Sequence, residues 1–396
     1  MKKILLTLFG IFIFALSAGA SDNLSFIYIN GSNNNDPKMK NWYEKGVKKL
    51  HPEMRKKVLT NSKIKKHYKN IGGLNVQEEP VIFFWGYDSK NDLDFVKDQL
   101  EISKMVSSVG GYVARSLITQ YLHDAIWVQK PHNMLPIIDE LNDVIIKEAQ
   151  KGNSVVLYGY SAGTFVTYQY MLNKFRFINI EKLLITLKAD KDIIEEAQKL
   201  SLNNTCLSAL SLKKGGIGTM SAEGHLILNG NEEQLKQNLH YLNDATEKYC
   251  APIGMVAGSV NFACPLVLFY SDMADEEYDM NFYNKLLIKY ILENEIFMLT
   301  VNFKEDPLGF PTSRNLTVGD IEERMGMTIN NPTGVIYDNS GVWSKRLFPF
   351  AHTAYWNAKG TFSKAVVKSF VNGYKFHYDP KYQAKVLKKN KKREEL

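Results

Sequence analysis

Ser161 stands between two glycines in Gly159-Tyr160-Ser161-Ala162-Gly163, directly after the apolar run Val155-Val156-Leu157-Tyr158. A serine hydroxyl is a poor nucleophile at neutral pH and needs a base, normally a histidine steadied by a carboxylate. Six of the eight histidines precede residue 241, and His377 lies in the basic tail beyond the last helical stretch, which leaves His352 in "PFAHTAYWN". Asp306 follows the apolar "IFMLTVNF" and precedes Pro307, and an Asp-Pro pair marks a turn that would fix the carboxylate. Glu305 is its neighbour, and Asp272, after "CPLVLFY", is the competing acid. The chemistry these types allow is acyl transfer, with Ser161 as nucleophile, His352 as general base and Asp306 as the group that orients it.

Such chemistry needs elements that bring the three together. A serine held on a tight strand-to-helix turn needs small neighbours on both sides, because strand and helix then pass closely, and Gly159 and Gly163 would give that clearance. The hydroxyl would then sit at a helix N-terminus, where backbone N–H groups stabilise a developing oxyanion. An ordinary turn with a capping serine is the plainer reading of the same residues.

The rest of the chain reads as strands alternating with helices. "LSFIYINGSNNND" is a strand running into a tight loop, "PVIFFWGYDS" a second, and "NSVVLYGYSAG" a third, preceded by the amphipathic "NMLPIIDELNDVIIKEAQKG" with Gly152 at its C-cap. From about residue 179 to 258 the rhythm breaks, which predicts an insertion capping one end of the sheet. Alternation then returns with "CPLVLFYSD", "IFMLTVNF", "GVIYDN" and a last helix in "AKGTFSKAVVKSFV". Strands separated by helices require crossovers, so the expected class is α/β, with a mainly parallel central sheet flanked by helices.

Composition and chain ends set the remaining bounds. At 396 residues, 45% hydrophobic and 23% charged, the chain reads as globular. Residues 1–20 read as an export signal: Lys2 and Lys3, an apolar run of 13 residues from Ile4 to Leu16, then Ala18-Gly19-Ala20 before a cut at Ser21. That run is shorter than the roughly 20 residues a membrane span needs. Residues 21–396 form the mature domain, periplasmic or secreted. Export permits disulfides, and of Cys206, Cys250 and Cys264 the first two fall in polar, loop-rich sequence and are the favoured pair; three buried thiols are the alternative. The formal charge of +7 falls to +5 without Lys2 and Lys3. Between Lys38 and Lys69 there are twelve Lys or Arg against two Glu, and the C-terminal "KVLKKNKKREEL" is a second basic run. These are solvated faces or contacts to an anionic membrane or acidic substrate; no nucleic-acid-binding motif accompanies them. Neither a metal-ligand cluster nor a phosphate-binding glycine loop is present, so no cofactor is expected.

With these residues in view, the sequence resembles the α/β-hydrolase superfamily, and within it the bacterial lipase and esterase-like serine hydrolases. The likeness rests on "FIYINGS", similar to the first long strand and its oxyanion loop with Asn30-Gly31 in place of the family's His-Gly. It rests further on "YGYSAG", similar to the nucleophile elbow, on "ACPLVLF" with "VNFKEDPLGFP", and on "AHTAYW". The resemblance covers most of residues 24–373, apart from 38–79 and the insertion. It implies an oxyanion hole from the N–H groups of Ala162 and Ser32. It also implies a buried Cys264 near the site, where relatives carry serine. The implied activity is cleavage of a small-molecule or lipid carboxylic ester through an acyl-enzyme. Thioesterases, acyltransferases and peptidases use the same triad, and a catalytically silent envelope binding protein is the reading from another class.

Overall fold

The computed structural model describes residues 23–32, 36–68, 74–90, 92–98, 119, 123–200, 202, 204–211, 217–220, 226–228, 230–266, 287, 290–291, 296–303, 306–309, 335–336, 351–357, 362–367, 371, 380–382, 384–386 and 388. The export signal at 1–20, Asp272, Glu305 and His377 lie outside the described residues.

Runs that are apolar on both faces become the middle of the sheet. β1 (Asn23–Ile29) is buried from Leu24 onward and β4 (Ser154–Tyr160) throughout, as a parallel strand covered on both sides requires. Between them in sequence come two short pieces, β2 (Asn75–Val76) and β3 (Val81–Phe83), which pair with the two ends of β1 as one interrupted edge strand. Beyond β4 lie β7 (Val256–Phe262), β8 (Phe297–Phe303) and β9 (Val335–Ile336). The order across the sheet is β2/β3-β1-β4-β7-β8-β9, and every pairing is parallel.

One strand departs from the sequence expectation. "CPLVLFYSD" was the expected strand after the insertion, but the strand lies just before it, in "VAGSVNF". Cys264 and Pro265 follow in a turn, Leu266 is helical, and 267–272 lie outside the described residues. Gly258, Ser259 and Asn261 disguised β7: a buried strand is expected to be continuously apolar, yet Ser259 and Asn261 are fully buried inside it.

Side-chain alternation assigns the faces. Tyr28 and Tyr158 are in register and stack at 4.8 Å, and His51 of α1 (Pro37–Thr60) meets Tyr28 edge-on at 5.8 Å, so α1 covers that face. Asp36 caps α1 by accepting from Lys38 N–H at 2.8 Å, and α2 (Ser62–Tyr68) continues past Asn61. The next residue along β4, Gly159, faces the other side, against Thr164 and Thr167 of α4 (Gly163–Lys174). On that face α4 packs with α3 (Pro131–Gln150), which closes at Gly152 with φ +80°, the left-handed position expected there.

The irregular stretch between α4 and β7 holds α5 (Ile180–Thr186), α6 (Lys191–Lys199), α7 (Leu207–Leu210), an antiparallel hairpin of β5 (Gly218–Met220) with β6 (Leu226–Leu228), and α8 (Glu232–Tyr249). Cys206 and Cys250 form a disulfide joining the start of α7 to the end of α8, and Cys264 is a buried free thiol.

The order of strands creates one special edge. From β1 the chain moves outward to β2/β3, then returns across β1 to β4 and continues the opposite way to β7 and β8. The direction switches between β1 and β4, and open parallel sheets form crevices outside the carboxyl ends of the two strands at such a switch. Those ends carry Asn30-Gly31-Ser32 and Ser161.

Candidate active site

Ser161 has φ 51°, a left-handed conformation that a residue with a Cβ adopts only under constraint. The constraint comes from both sides. Ser161 N–H donates to Phe262 O of β7 at 3.1 Å, while its carbonyl accepts from Thr164 N–H at 2.9 Å and Thr164 Oγ1 at 2.7 Å as α4 begins. Strand and helix therefore meet at one residue, with the hydroxyl turned out at the carboxyl edge of the sheet.

The flanking glycines give the clearance expected of them. A Cβ on Gly163 would lie 2.4 Å from Asn30 O and 2.6 Å from Ile29 O; one on Gly159 would lie 2.7 Å from Thr167 Oγ1 and 2.9 Å from Thr164 Cα. No side chain fits at either position without moving backbone. Gly31, quoted above only as part of a loop, is equally constrained: a Cβ there would reach 2.8 Å from Ser161 Cβ and 3.4 Å from Ser161 Oγ. The loop after β1 thus lies directly against the serine.

His352 and Asp306 arrive from separate elements. Asp306 follows β8 in a turn closed by Asp306 N–H to Phe303 O and Gly309 N–H to Asp306 O, both at 3.1 Å. His352 lies in the turn that precedes the short 3-10 segment Ala354–Trp356, and Tyr160 OH donates to its backbone carbonyl at 3.1 Å. His352 Nε2 is 3.0 Å from Ser161 Oγ, and Nδ1 is 3.0 and 3.1 Å from the two oxygens of Asp306. A carboxylate accepts only, so Nδ1 carries the proton and Nε2 offers its lone pair to the serine O–H. Ser161, His352 and Asp306 are 8%, 5% and 4% exposed, so the three hydrogen-bonded groups lie largely out of water.

Asp306 has two further donors. Leu308 N–H reaches Oδ1 at 2.9 Å, and Tyr355 OH reaches Oδ2 at 2.9 Å while accepting from Phe303 N–H at 2.8 Å. Tyr355 is wholly buried and stacked on Phe303 at 4.1 Å. Burial, and next the adjacent Asp306 charge, push its phenol well above the ordinary tyrosine value, so it stays a proton donor to the carboxylate. Sequence reasoning missed Tyr355 although it stands three residues after His352 inside the quoted "AHTAYW"; that spacing within one helical turn was the available signal.

The start of α4 and the β1 loop stand directly beside Ser161. Among the described residues nothing accepts the Ala162 N–H, which belongs to the unbonded first turn of α4 and follows the serine directly. Ser32 shares the cleft wall with Asn30, Gly31 and Ser161. Met39, Trp42 and Tyr43 from α1, with Tyr160, His352 and Thr353, complete the lining. None of these lining residues comes from 179–258. Below the cleft, Tyr43, Tyr160, Phe262 and Trp356 form an aromatic cluster, and Gly46 of α1 gives Trp356 its room. Cys264 N–H donates to Asn302 Oδ1 at 2.8 Å, fixing the turn after β7 to the strand that leads to Asp306.

Among the described residues no group of three or more His, Cys, Asp or Glu is arranged to hold a metal, and no helix is long and apolar enough to cross a membrane. No family model, curated protein or solved structure matches the chain. The functional reading therefore rests on the chemistry of these side chains alone.

Proposed function

We propose that the protein is a serine hydrolase of the α/β-hydrolase fold that cleaves carboxylic esters through an acyl-enzyme. The observation that carries this reading is the continuous relay from Ser161 Oγ through His352 to Asp306, its three members separated by 46 and 191 residues in sequence. Chains of hydrogen bonds between Ser, His and Asp in this order serve to remove a proton from the serine as it attacks.

The steps follow from the donors and acceptors. Ser161 Oγ bonds to the ester carbonyl carbon as its proton passes to His352 Nε2, and Asp306 stabilises the imidazolium through Nδ1. The carbonyl oxygen takes up negative charge beside the Ala162 N–H and the Gly31-Ser32 loop, where donors are worth most because water is excluded. The intermediate collapses by breaking the bond to the alcohol oxygen, which leaves with the proton from His352. A water then attacks the acyl-enzyme carbonyl as its proton passes to His352; the bond to Ser161 Oγ breaks, Oγ takes that proton back from His352, and the carboxylic acid leaves. The strained φ of Ser161 supports the reading, since such strain survives only where surrounding structure enforces it. The apolar lining residues Met39, Trp42 and Tyr43 suit an apolar acyl group more than a charged one. We further propose that the chain is exported, with the leader ending near Ala20, and acts in a periplasm or outside the cell.

A chain-length series of nitrophenyl esters tests the reading. Expected is turnover by the wild type, loss by at least about 10³-fold in Ser161→Ala, and a loss of about 10³- to 10⁴-fold in Asp306→Asn, where the wrong imidazole tautomer is favoured. Wild-type turnover of none of the esters, or equal turnover in Ser161→Ala, would overturn it.

A further inference from the structure

The cleft helix α1 has a second face that the hydrolase reading leaves unused. Its buried side carries Tyr43, Val47, Leu50, Met54 and Val58, and directly opposite, at i, i+7, i+11 and i+18, come Lys38, Lys45, Lys49 and Lys56. Lys48 flanks the stripe, and α2 carries Lys63, Lys65 and Lys66, all exposed. Residues 37–68 hold eleven Lys or Arg against two Glu. Of those two, Glu53 is tied to Lys57 at 2.8 Å on the flank of the helix. Lys49 donates to Asn357 at 2.9 Å, whereas among the described residues Lys38, Lys45, Lys48 and Lys56 take part in no ion pair. From Lys38 to Lys56 α1 thus presents a cationic ridge about 27 Å long, its charge uncompensated among the described residues.

We propose that this ridge docks the protein on an anionic phospholipid surface, with α1 lying along the headgroups. Three features favour a bilayer over a nucleic acid. The stripe is made of lysines, compact point charges suited to a diffuse layer of headgroups, while Arg55 turns aside to donate to the Val76 carbonyl at 2.8 Å. An exposed amphipathic aromatic stands at the first turn of the same helix: Lys40, on the side of α1 that carries Tyr43, sits over the rings of Phe84 and Tyr87, and Tyr87 is 47% exposed, as suits the interfacial zone. Third, Met39 and Trp42, on the flank between the lysine stripe and the buried face, line the cleft beside Ser161. A membrane held by the stripe would therefore lie next to the cleft mouth. The docking itself does not depend on the hydrolase reading; its consequence, that the ester comes from the lipid layer, does.

Flotation of full-length Ser161→Ala protein, which needs no activity, with phosphatidylcholine vesicles and with vesicles containing 30% phosphatidylglycerol tests the docking. Expected is binding to the anionic vesicles only, falling at least tenfold between 50 and 500 mM salt. Neutralising Lys38, Lys45, Lys48 and Lys56 together to Gln should weaken it at least tenfold. The same charge change placed on α5, α6 and the turn between them, at Lys182, Lys188, Lys191 and Lys199, should leave it within about twofold. All eight lysines are exposed, and an unchanged circular dichroism spectrum verifies that both variants fold. Equal binding to neutral and anionic vesicles, equal loss in the two variants, or tighter binding of a single-stranded oligonucleotide than of the anionic vesicles would overturn the proposal. Vesicle binding without ester turnover by the wild type would keep the docking and remove the hydrolase reading.

Discussion

Asp306 is held by more donors than its partnership with His352 needs, and Tyr355 is the one that matters most. Its hydroxyl bridges Phe303 N–H and Asp306 Oδ2, so Tyr355→Phe leaves a buried amide without an acceptor and the carboxylate with one donor fewer. The expected result is a fall in kcat of about 10- to 100-fold with KM little changed, because Tyr355 touches the orienting acid and not the cleft wall. In an Asp306→Asn background the same substitution should cost little more, since the two act through one interaction. Additive losses in that double-variant cycle would assign Tyr355 to core packing alone. That Ser161, His352 and Asp306 would meet was legible in the sequence from their order and from the apolar runs that Ser161 and Asp306 follow. Tyr355 was not, because a buried tyrosine beside tryptophan and phenylalanine reads as ordinary core until its hydroxyl has a partner.

The elbow depends on how closely β1, β4 and α4 approach one another. Gly163→Ala would drive a methyl into the Asn30 and Ile29 carbonyls, which belong to backbone and cannot rotate away. We expect it to lower stability by about 2–3 kcal/mol and to displace Ser161 from His352, so that thermal midpoint and turnover fall together. α1 carries a pH dependence of its own. His51 is buried between Tyr28 OH at 3.3 Å and the Gln77 carbonyl at 3.0 Å. Burial, aided by Arg55 and opposed in part by the hydrogen bond to Gln77, lowers its pKa below the ordinary 6.5. The unfolded chain then binds this proton more readily than the folded one. The contribution is complete above about pH 6.5 and is lost as pH falls from there through the lowered folded value. Thermal midpoints measured from pH 7.5 to 5 should drop less steeply in His51→Gln than in the wild type; identical slopes would show that other groups set the acid sensitivity. Pattern alone revealed β1, β4 and β8, in which apolar residues outnumber the polar ones, Thr300 and Asn302 of β8 included, and α3, whose apolar residues keep the helical spacing. It missed β7, because Ser259 and Asn261 are polar yet lie inside the sheet, a cost that only tertiary burial of the strand explains.

The described residues are organised around a switch in strand direction, with the proposed chemistry at the carboxyl edge and the irregular stretch between α4 and β7 fastened by one covalent link. The Cys206–Cys250 disulfide closes a loop of 44 residues, which in the chain-entropy account is worth about 4 kcal/mol. Replacing both cysteines by Ala should lower the thermal midpoint markedly while leaving room-temperature turnover within about twofold, since no described residue of the insertion lines the cleft. The pairing was legible from the polar setting of the two cysteines, whereas the seating of the insertion was not, because its helices are short and their partners distant in sequence. What unites these elements is the claim that they aim one activated hydroxyl. Intact-mass spectrometry after treatment with a fluorophosphonate tests this directly, without a known substrate. The account predicts one adduct per folded chain, mapped to the peptide containing Ser161, absent after heat denaturation and absent in Ser161→Ala and His352→Gln. A folded wild type that takes no adduct, or one that takes it at another serine, would contradict it.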